Sequence, residues 1–149
     1  MFVSAIVSLD SPIKKERIIR GFNINNKKLS VEVFKTPSCG CCYGYVLFLE
    51  KEQFNVKETD MRSLHSIKQK YNIPLEMQSC HTTIIGKYFI EGHVPLEAIN
   101  KLLKEEPDID GIALPGMPIG TPGMPGKKEE PFVVYLSLIH ISEPTRPRI

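Results

Sequence analysis

The sequence has no tryptophan, and only four of its 149 residues are cysteine. Three of these cysteines lie between residues 39 and 42, so they are clustered rather than spread along the chain. A domain that depends on disulfides spaces its cysteines to close long loops, which this cluster cannot do. With 42% hydrophobic residues, the chain can form an ordinary core without such bridges. The cluster is therefore better explained by reactivity or by metal ligation.

A strong excess of one charge is also missing, since 19 basic and 17 acidic residues give a net charge of +2. The basic residues are scattered or occur in short pairs, so no stripe for nucleic acid is present. No apolar run approaches the roughly 18 residues that a membrane span needs. The first nine residues, MFVSAIVSL, are apolar but have no basic start, which indicates an absent or truncated signal peptide.

Short periodic segments between turn residues predict an α/β domain in the order β-α-β-α-β-β-α. The predicted strands are VEVF (31–34), NVKETD (55–60), TTIIG and KYFIEG. The predicted helices begin near Cys41, at Ser63 and at Pro95. The apolar face predicted for the first helix comprises Tyr45, Leu47, Phe48 and Leu49. This order fits a mixed sheet with flanking helices, as in a thioredoxin-like sandwich.

The later part of the chain divides into a loop, a strand and a tail. Residues 111–126 contain five glycines and four prolines, a density that predicts no regular element. Residues 131–136 predict a late strand. Residues 137–149, SLIHISEPTRPRI, resemble translated sequencing-adaptor DNA and are set apart as a non-native tail, His140 included. The predicted organisation is an N-terminal extension (1–30), a thioredoxin-like metal-binding domain (31–136) and this tail.

The cluster SCGCC lies where the first predicted strand passes into the first helix. A helix N-terminus has unpaired N–H groups and a partial positive charge, which favour a thiolate over a thiol. Cys39 and Cys42 have the spacing of a dithiol pair. Cys41 is surplus for simple dithiol exchange, whereas three thiolates on one turn suit a soft metal.

Further ligand candidates follow later in the sequence. Cys80 and His81 immediately precede the TTIIG strand, whose start faces the first helix in a thioredoxin-like sandwich, and His93 follows the hairpin. Met117 and Met124 add thioethers, although loop packing also explains both. Thiolate, imidazole and thioether together favour Cu(I), with Zn(II) as the alternative. Burial as a small apolar residue also explains Cys80, and hydrogen-bonded structural roles also explain the two histidines.

Four motifs in order, TPSCGCC, IPLEMQSCHT, EGHVP and LPGMPIGTPGM, resemble the DUF411 family, which includes CopG proteins of bacterial copper-resistance operons. The resemblance covers residues 31–136. It implies a thioredoxin-like domain in the periplasm or cell envelope that binds copper and has a redox role toward it. By this resemblance the metal-binding cysteines are Cys39, Cys41 and Cys42. Cys80, His81 and His93 also belong to the family's motifs, and other copper-handling envelope proteins are the implied partners.

Two rival functions stay open on the sequence. The first is an oxidoreductase that acts on copper or exchanges disulfides through Cys39 and Cys42. Against simple exchange, no proline stands immediately before TTIIG, where a thioredoxin keeps a cis-proline. The second rival is a structural zinc site.

Overall fold

The computed structural model of the chain describes residues 2–5, 28–129 and 131–138. Its strands are β1 (Phe2–Ala5), β2 (Ser30–Lys35), β3 (Asn55–Asp60), β4 (Thr82–Ile85), β5 (Tyr88–Glu91), β6 (Gly111–Ala113) and β7 (Val134–Ser137). Its α-helices are α1 (Gly40–Lys51), α2 (His65–Lys70) and α3 (Leu96–Glu105), and Leu75–Met77 form a 3-10 turn. Within the described residues, the strands form one mixed sheet in the order β1-β7-β6-β5-β4-β2-β3. The predicted α/β class with flanking helices is confirmed.

Two crossover units and one hairpin build most of this sheet. Helix α1 connects the parallel strands β2 and β3, and α3 connects the parallel strands β5 and β6. Between these units, β4 and β5 pair as an antiparallel hairpin that turns at Gly86, where φ is +56°. The core between helices and sheet contains Val33, Tyr45, Leu49 and Ile90. Apolar residues at strand and helix spacings thus place the elements where the sequence predicts them.

Strand β6 contradicts the expectation that residues 111–126 hold no regular element. The prolines begin only at Pro115, so the three residues of β6 keep their backbone N–H groups for pairing. Gly111 also permits close pairing, because a Cβ there would lie 2.3 Å from the carbonyl oxygen of Phe89. The glycine and proline content predicted the loop correctly but placed its start too early.

The buried face of α1 also differs from the predicted one. Leu47 is 46% exposed, and Phe48 is only partly buried. The buried residues are Cys42, Tyr45, Val46 and Leu49, which follow the i, i+3, i+4, i+7 spacing of one helical face. Cys42 therefore belongs to the core face, and this rotation points one end of the cysteine cluster into the protein.

The two ends of the described chain meet at one edge of the sheet. Strand β7 pairs with both β6 and β1, and Ser137 at its end is buried although the sequence placed it in the tail. Residues 139–149, with the rest of that predicted tail, lie outside the described residues. Residues 6–27, with most of the predicted N-terminal extension, lie outside them as well. Among the described helices, none is long and apolar enough to cross a membrane.

Candidate metal centre

Three neighbouring strands deliver the candidate ligands to the same end of the sheet. Strand β2 ends just before the cysteine turn, β4 begins directly after His81, and β5 ends two residues before His93. Because β2 and β5 both run antiparallel to β4, the end of each lies beside the start of β4. Thr82 is paired with Phe34 on one side and Glu91 on the other. The register of the sheet therefore brings together segments that are far apart in sequence.

The cysteine turn forms the N-terminus of α1, as predicted. The N–H of Cys39 donates to the carbonyl of Thr36 at 3.2 Å, which closes the turn after β2. Cys39 is the N-cap residue, and no side chain caps the helix there. The first N–H groups of α1 therefore face the cysteine cluster without a side-chain acceptor, and this favours negative charge on the sulfurs.

Cys39 and Cys42 form a disulfide in this structure, with their Cα atoms 5.3 Å apart. Cys41 is free, and its sulfur lies 3.4 Å from that of Cys39. On its other side, the Cys41 thiol donates to the thioether sulfur of Met117 at 3.7 Å. The turn thus presents an oxidised pair and a free thiol, with the surplus cysteine directed toward the loop.

Cys80 joins this cluster from the start of β4. The sulfurs of Cys39, Cys41, Cys42 and Cys80 all lie within 4.8 Å of one another. Burial raises the pKa of the Cys80 thiol to about 11, an effect to which the nearby Cys41 adds. Contact with the hydroxyl of Ser79 lowers the pKa of Cys80 and opposes this effect only in part. It is therefore a neutral thiol at pH 7, and a bound cation would favour its deprotonation.

Two histidines extend the donor set behind Cys80. The Cys80 sulfur lies 3.2 Å from Nδ1 of His81 and 3.3 Å from Nε2 of His93. The Nδ1–H of His93 donates to the carbonyl of Pro122 at 2.6 Å, so the lone pair of Nε2 is directed to the sulfur. Cys80, His81 and His93 form a second group whose ligand atoms lie within 4.8 Å of one another.

Both imidazoles are held in the neutral form that can bind a metal. Burial lowers the pKa of His81 to about 3, with the charges of His93 and Lys68 adding to the shift. Burial also lowers the pKa of His93, which its hydrogen bond to Pro122 opposes. The ring of His81 packs against that of Tyr45 with centroids 4.6 Å apart, and its Nε2 has no hydrogen-bond partner. A buried polar atom without a partner is unusual, and here it is the ring nitrogen of His81 that is not in contact with Cys80.

The loop after β6 covers this centre and is fixed to α1 through two glycines. A Cβ on Gly44 would lie 3.0 Å from the carbonyl oxygen of Gly123, so the two backbones are in direct contact. This contact places Pro122 over His93 and Met117 beside Cys41. Met117 is 51% exposed at the rim, and Met124 is half-buried in the same loop.

The structure therefore brings all six sequence-predicted ligand candidates to one place: Cys39, Cys41, Cys42, Cys80, His81 and His93. Sequence reasoning missed the buried ion pair of Lys68 and Glu91 behind the Cys80 turn. Glu91 falls in a strand pattern, which gives no sign of a charged partner, and Lys68 lies on a short helix. A lysine on the buried face of a predicted helix was the one available hint.

Comparisons with known proteins identify the family of this chain. A family model described as "Protein of unknown function, DUF411" matches residues 77–124, a range that includes Cys80, both candidate histidines and the covering loop as far as Met124. The solved structure of copper resistance protein CopG, form 2, is similar to this chain, with 37% sequence identity and a TM-score of 0.67. The match covers 72% of this chain and 87% of the CopG chain. For CopG form 1 the sequence identity is 38% and the TM-score is 0.67, and the match covers 72% of this chain and 86% of the CopG chain. No curated protein sequence matches the chain. The chain belongs to the DUF411 family, whose members include proteins similar to CopG.

Proposed function

We propose that this protein binds Cu(I) in copper tolerance, through thiolates of Cys39, Cys41 and Cys42. The observation that carries the proposal is the convergence of four sulfurs within 4.8 Å of one another. Three of them come from one turn and the fourth from the start of β4. Such a set of soft donors suits Cu(I), and the copper resistance proteins similar to this chain support copper as the metal.

The neighbours of the sulfurs favour copper over zinc. Cysteine and histidine alone would also suit a tetrahedral Zn(II) site. Here a thioether lies 3.7 Å from Cys41, and thioethers favour Cu(I). Cys80 and His93 supply further donors, so the set exceeds the four that a structural zinc site uses. Three adjacent thiolates can bridge ions, and we infer that more than one Cu(I) is held.

Ligation by all three cysteines of the turn requires the Cys39–Cys42 disulfide to be reduced. A donor dithiol would transfer two electrons and two protons to the bond, giving two thiols and a donor disulfide. The helix N-terminus then stabilises the thiolates that bind the ion. Cys80 approaches the other sulfurs from the start of β4. The hydrogen bond from Nδ1–H of His93 to Pro122 keeps Nε2 of His93 available to bind a metal. We expect His81 to close the site or to tune its charge.

The fold and the family support a proposal for the setting of this activity. A β2-α1-β3 unit followed by the β4-β5 hairpin and α3 is the order of a thioredoxin-like domain, and we assign the chain to that class. The similarity to copper resistance proteins supports a place in the periplasm or cell envelope, with other copper-handling envelope proteins as partners.

A redox activity is the second candidate function, and the disulfide itself favours it. Cys39 and Cys42 have the CxxC spacing at a helix N-terminus, where exchange-active pairs occur. The substrate would be copper or a protein disulfide. Reduction of insulin by the metal-free dithiol protein would support disulfide exchange, whereas electron transfer that requires copper would support action on the metal.

Anaerobic Cu(I) titration against a chromophoric chelator tests the leading proposal. We expect the reduced protein to bind more Cu(I) per chain than the protein with its Cys39–Cys42 disulfide intact, because oxidation removes two thiols. Cys41→Ser should weaken binding about 10-fold or more, as loss of a metal's supporting group does. Tyr43→Ser, which introduces the same residue on the exposed side of the same turn, is the control.

Three results, two from this titration and one from elemental analysis, would count against copper. These are equal capacity in the two redox forms, no effect of Cys41→Ser, and preferential retention of zinc when both metals are supplied. Elemental analysis after purification with both metals shows whether the protein retains zinc in preference to copper.

A further inference from the structure

A buried charge pair lies directly behind the turn that carries Cys80. The carboxylate of Glu91 is fully buried and is in contact with the ammonium group of Lys68, which is 5% exposed. Lys68 also donates to the hydroxyl of Thr82 at 3.0 Å, and Thr82 donates to the other oxygen of Glu91. An isolated buried pair of this kind contributes little stability, since removing two charges from water offsets their attraction. Its position therefore calls for another explanation.

The carboxylate extends this network to the backbone beside Cys80. The N–H of Ser79 donates to Oε2 of Glu91 at 2.8 Å. On the other side of Cys80, the carbonyl of His81 accepts from the N–H of Gly92 at 3.1 Å. The residues that flank Cys80 are thus both held by the end of β5, and the Cys80 sulfur is left facing the other cysteines.

The close approach of the two segments requires the small residue that the sequence provides. Gly92 has φ of +80°, and a Cβ there would lie 2.9 Å from the Cβ of Ser79 and 2.6 Å from the carbonyl oxygen of Leu114. The hydroxyl of Ser79 in turn donates to the carbonyl of Gly116 at 2.8 Å, in the loop that carries Met117. The turn is therefore fixed on the side of the sheet and on the side of the loop.

We propose that Glu91, held by Lys68, is a positioning residue that sets where the Cys80 thiol meets the metal. This inference rests on the proposed Cu(I) site and adds to it a role for two residues that do not touch the ion. An apolar pair could fill the same volume, but it could not accept the N–H of Ser79. The function of the pair is to supply that acceptor at a buried place.

Two double variants isolate the acceptor. Lys68→Met with Glu91→Gln removes both charges but keeps a side-chain oxygen for Ser79, whereas Lys68→Met with Glu91→Leu removes charges and acceptor together. We expect Cu(I) affinity to fall about 10-fold in the Glu91→Leu version and to stay within about twofold of wild type in the Glu91→Gln version. Leu102→Ala, in the core beside β7, is the control for a loss of stability alone.

A thermodynamic cycle with Cys80→Ser separates positioning from general weakening. If the pair acts through Cys80, Cys80→Ser lowers Cu(I) affinity in the wild-type chain but by less than about twofold in the Glu91→Leu background. The full effect of Cys80→Ser in both backgrounds would overturn the inference. So would equal losses of affinity in the Glu91→Leu and Glu91→Gln versions.

A measurement without metal keeps this inference distinct from the copper proposal. In the metal-free protein, mass spectrometry follows the rate at which iodoacetamide alkylates Cys80. We expect faster alkylation in the Glu91→Leu version than in the Glu91→Gln version, because the turn is released. If wild-type protein binds no Cu(I) but this difference is seen, the copper proposal fails, while the role of Glu91 in holding the Cys80 turn stands. Equal rates in the two versions would overturn the positioning role.

Discussion

The contact between Gly44 and Gly123 allows a sharp test of how the loop is held over the centre. Gly123 has φ of +84°, and a Cβ there would lie 2.7 Å from the N of Tyr45 and 2.9 Å from the O of Cys41. Both atoms belong to the backbone of α1 and cannot rotate away. Gly123→Ala must therefore shift the loop, the helix or both.

Gly116, in the same loop, provides the matched control. Its φ is +76°, but nothing lies within 4 Å of a Cβ built there. Alanine at either position costs about 1–2 kcal/mol for the left-handed backbone. The forced shift at Gly123 adds about 1–3 kcal/mol. We therefore expect a loss of about 1–2 kcal/mol for Gly116→Ala and about 2–5 kcal/mol for Gly123→Ala.

Urea denaturation of the metal-free protein measures both losses, provided that the m-values agree. Displacement of the loop also moves the carbonyl of Pro122 from His93 and the sulfur of Met117 from Cys41. We expect Cu(I) affinity to fall about 10-fold in Gly123→Ala and to change little in Gly116→Ala. Equal stability losses would refute the steric argument, and unchanged Cu(I) affinity in Gly123→Ala would refute the role of the loop at the metal.

Two further variants test single contacts of the centre. Met117→Leu keeps the apolar volume but removes the sulfur near Cys41, so Cu(I) affinity measured by chelator competition should fall. Met61→Leu makes the same substitution just after β3 and should leave that affinity unchanged. Tyr45→Phe removes a hydrogen bond to the carbonyl of Val94 and should cost about 1–3 kcal/mol at pH 7 in urea denaturation. Burial raises the pKa of Tyr45, so above pH 10 the phenol ionises in the unfolded state but not in the folded one. This ionisation destabilises the wild type and not Tyr45→Phe, so the stability deficit of the variant should shrink as the pH rises beyond 10. A deficit that does not change between pH 7 and pH 11 would contradict the burial of the phenol.

Local signals were enough to predict much of the fold. The 55–60 strand, the hairpin around Gly86 and the helix after Pro95 all follow from periodicity and turn residues. The β6 strand was missed because three residues are too few to show a hydrophobic period. Their pairing with β5 also arises only in the folded protein. The face of α1 was misjudged because Tyr45, Leu47, Phe48 and Leu49 surround much of the helix, and only packing selects among them.

The centre was predictable in composition but not in chemical state. Motif order and strand topology predict that Cys80, His81 and His93 lie near the cysteine turn, and the structure places them there. The sequence could not show that Cys39 and Cys42 are joined, since the same spacing serves thiols and disulfides. It also could not show the buried Lys68–Glu91 pair, whose meaning depends on the backbone it meets.

The covering loop connects β6 to β7, which pair as antiparallel neighbours, so the three together form a hairpin with a long connection. Both ends of this loop are thus fixed by sheet pairing, which offsets the entropy of closing it. A deletion that removed β7 would release one foot while sparing every sulfur and imidazole. If the proposed Cu(I) site depends on the loop, this deletion would weaken it, although β7 supplies none of the six candidate ligands.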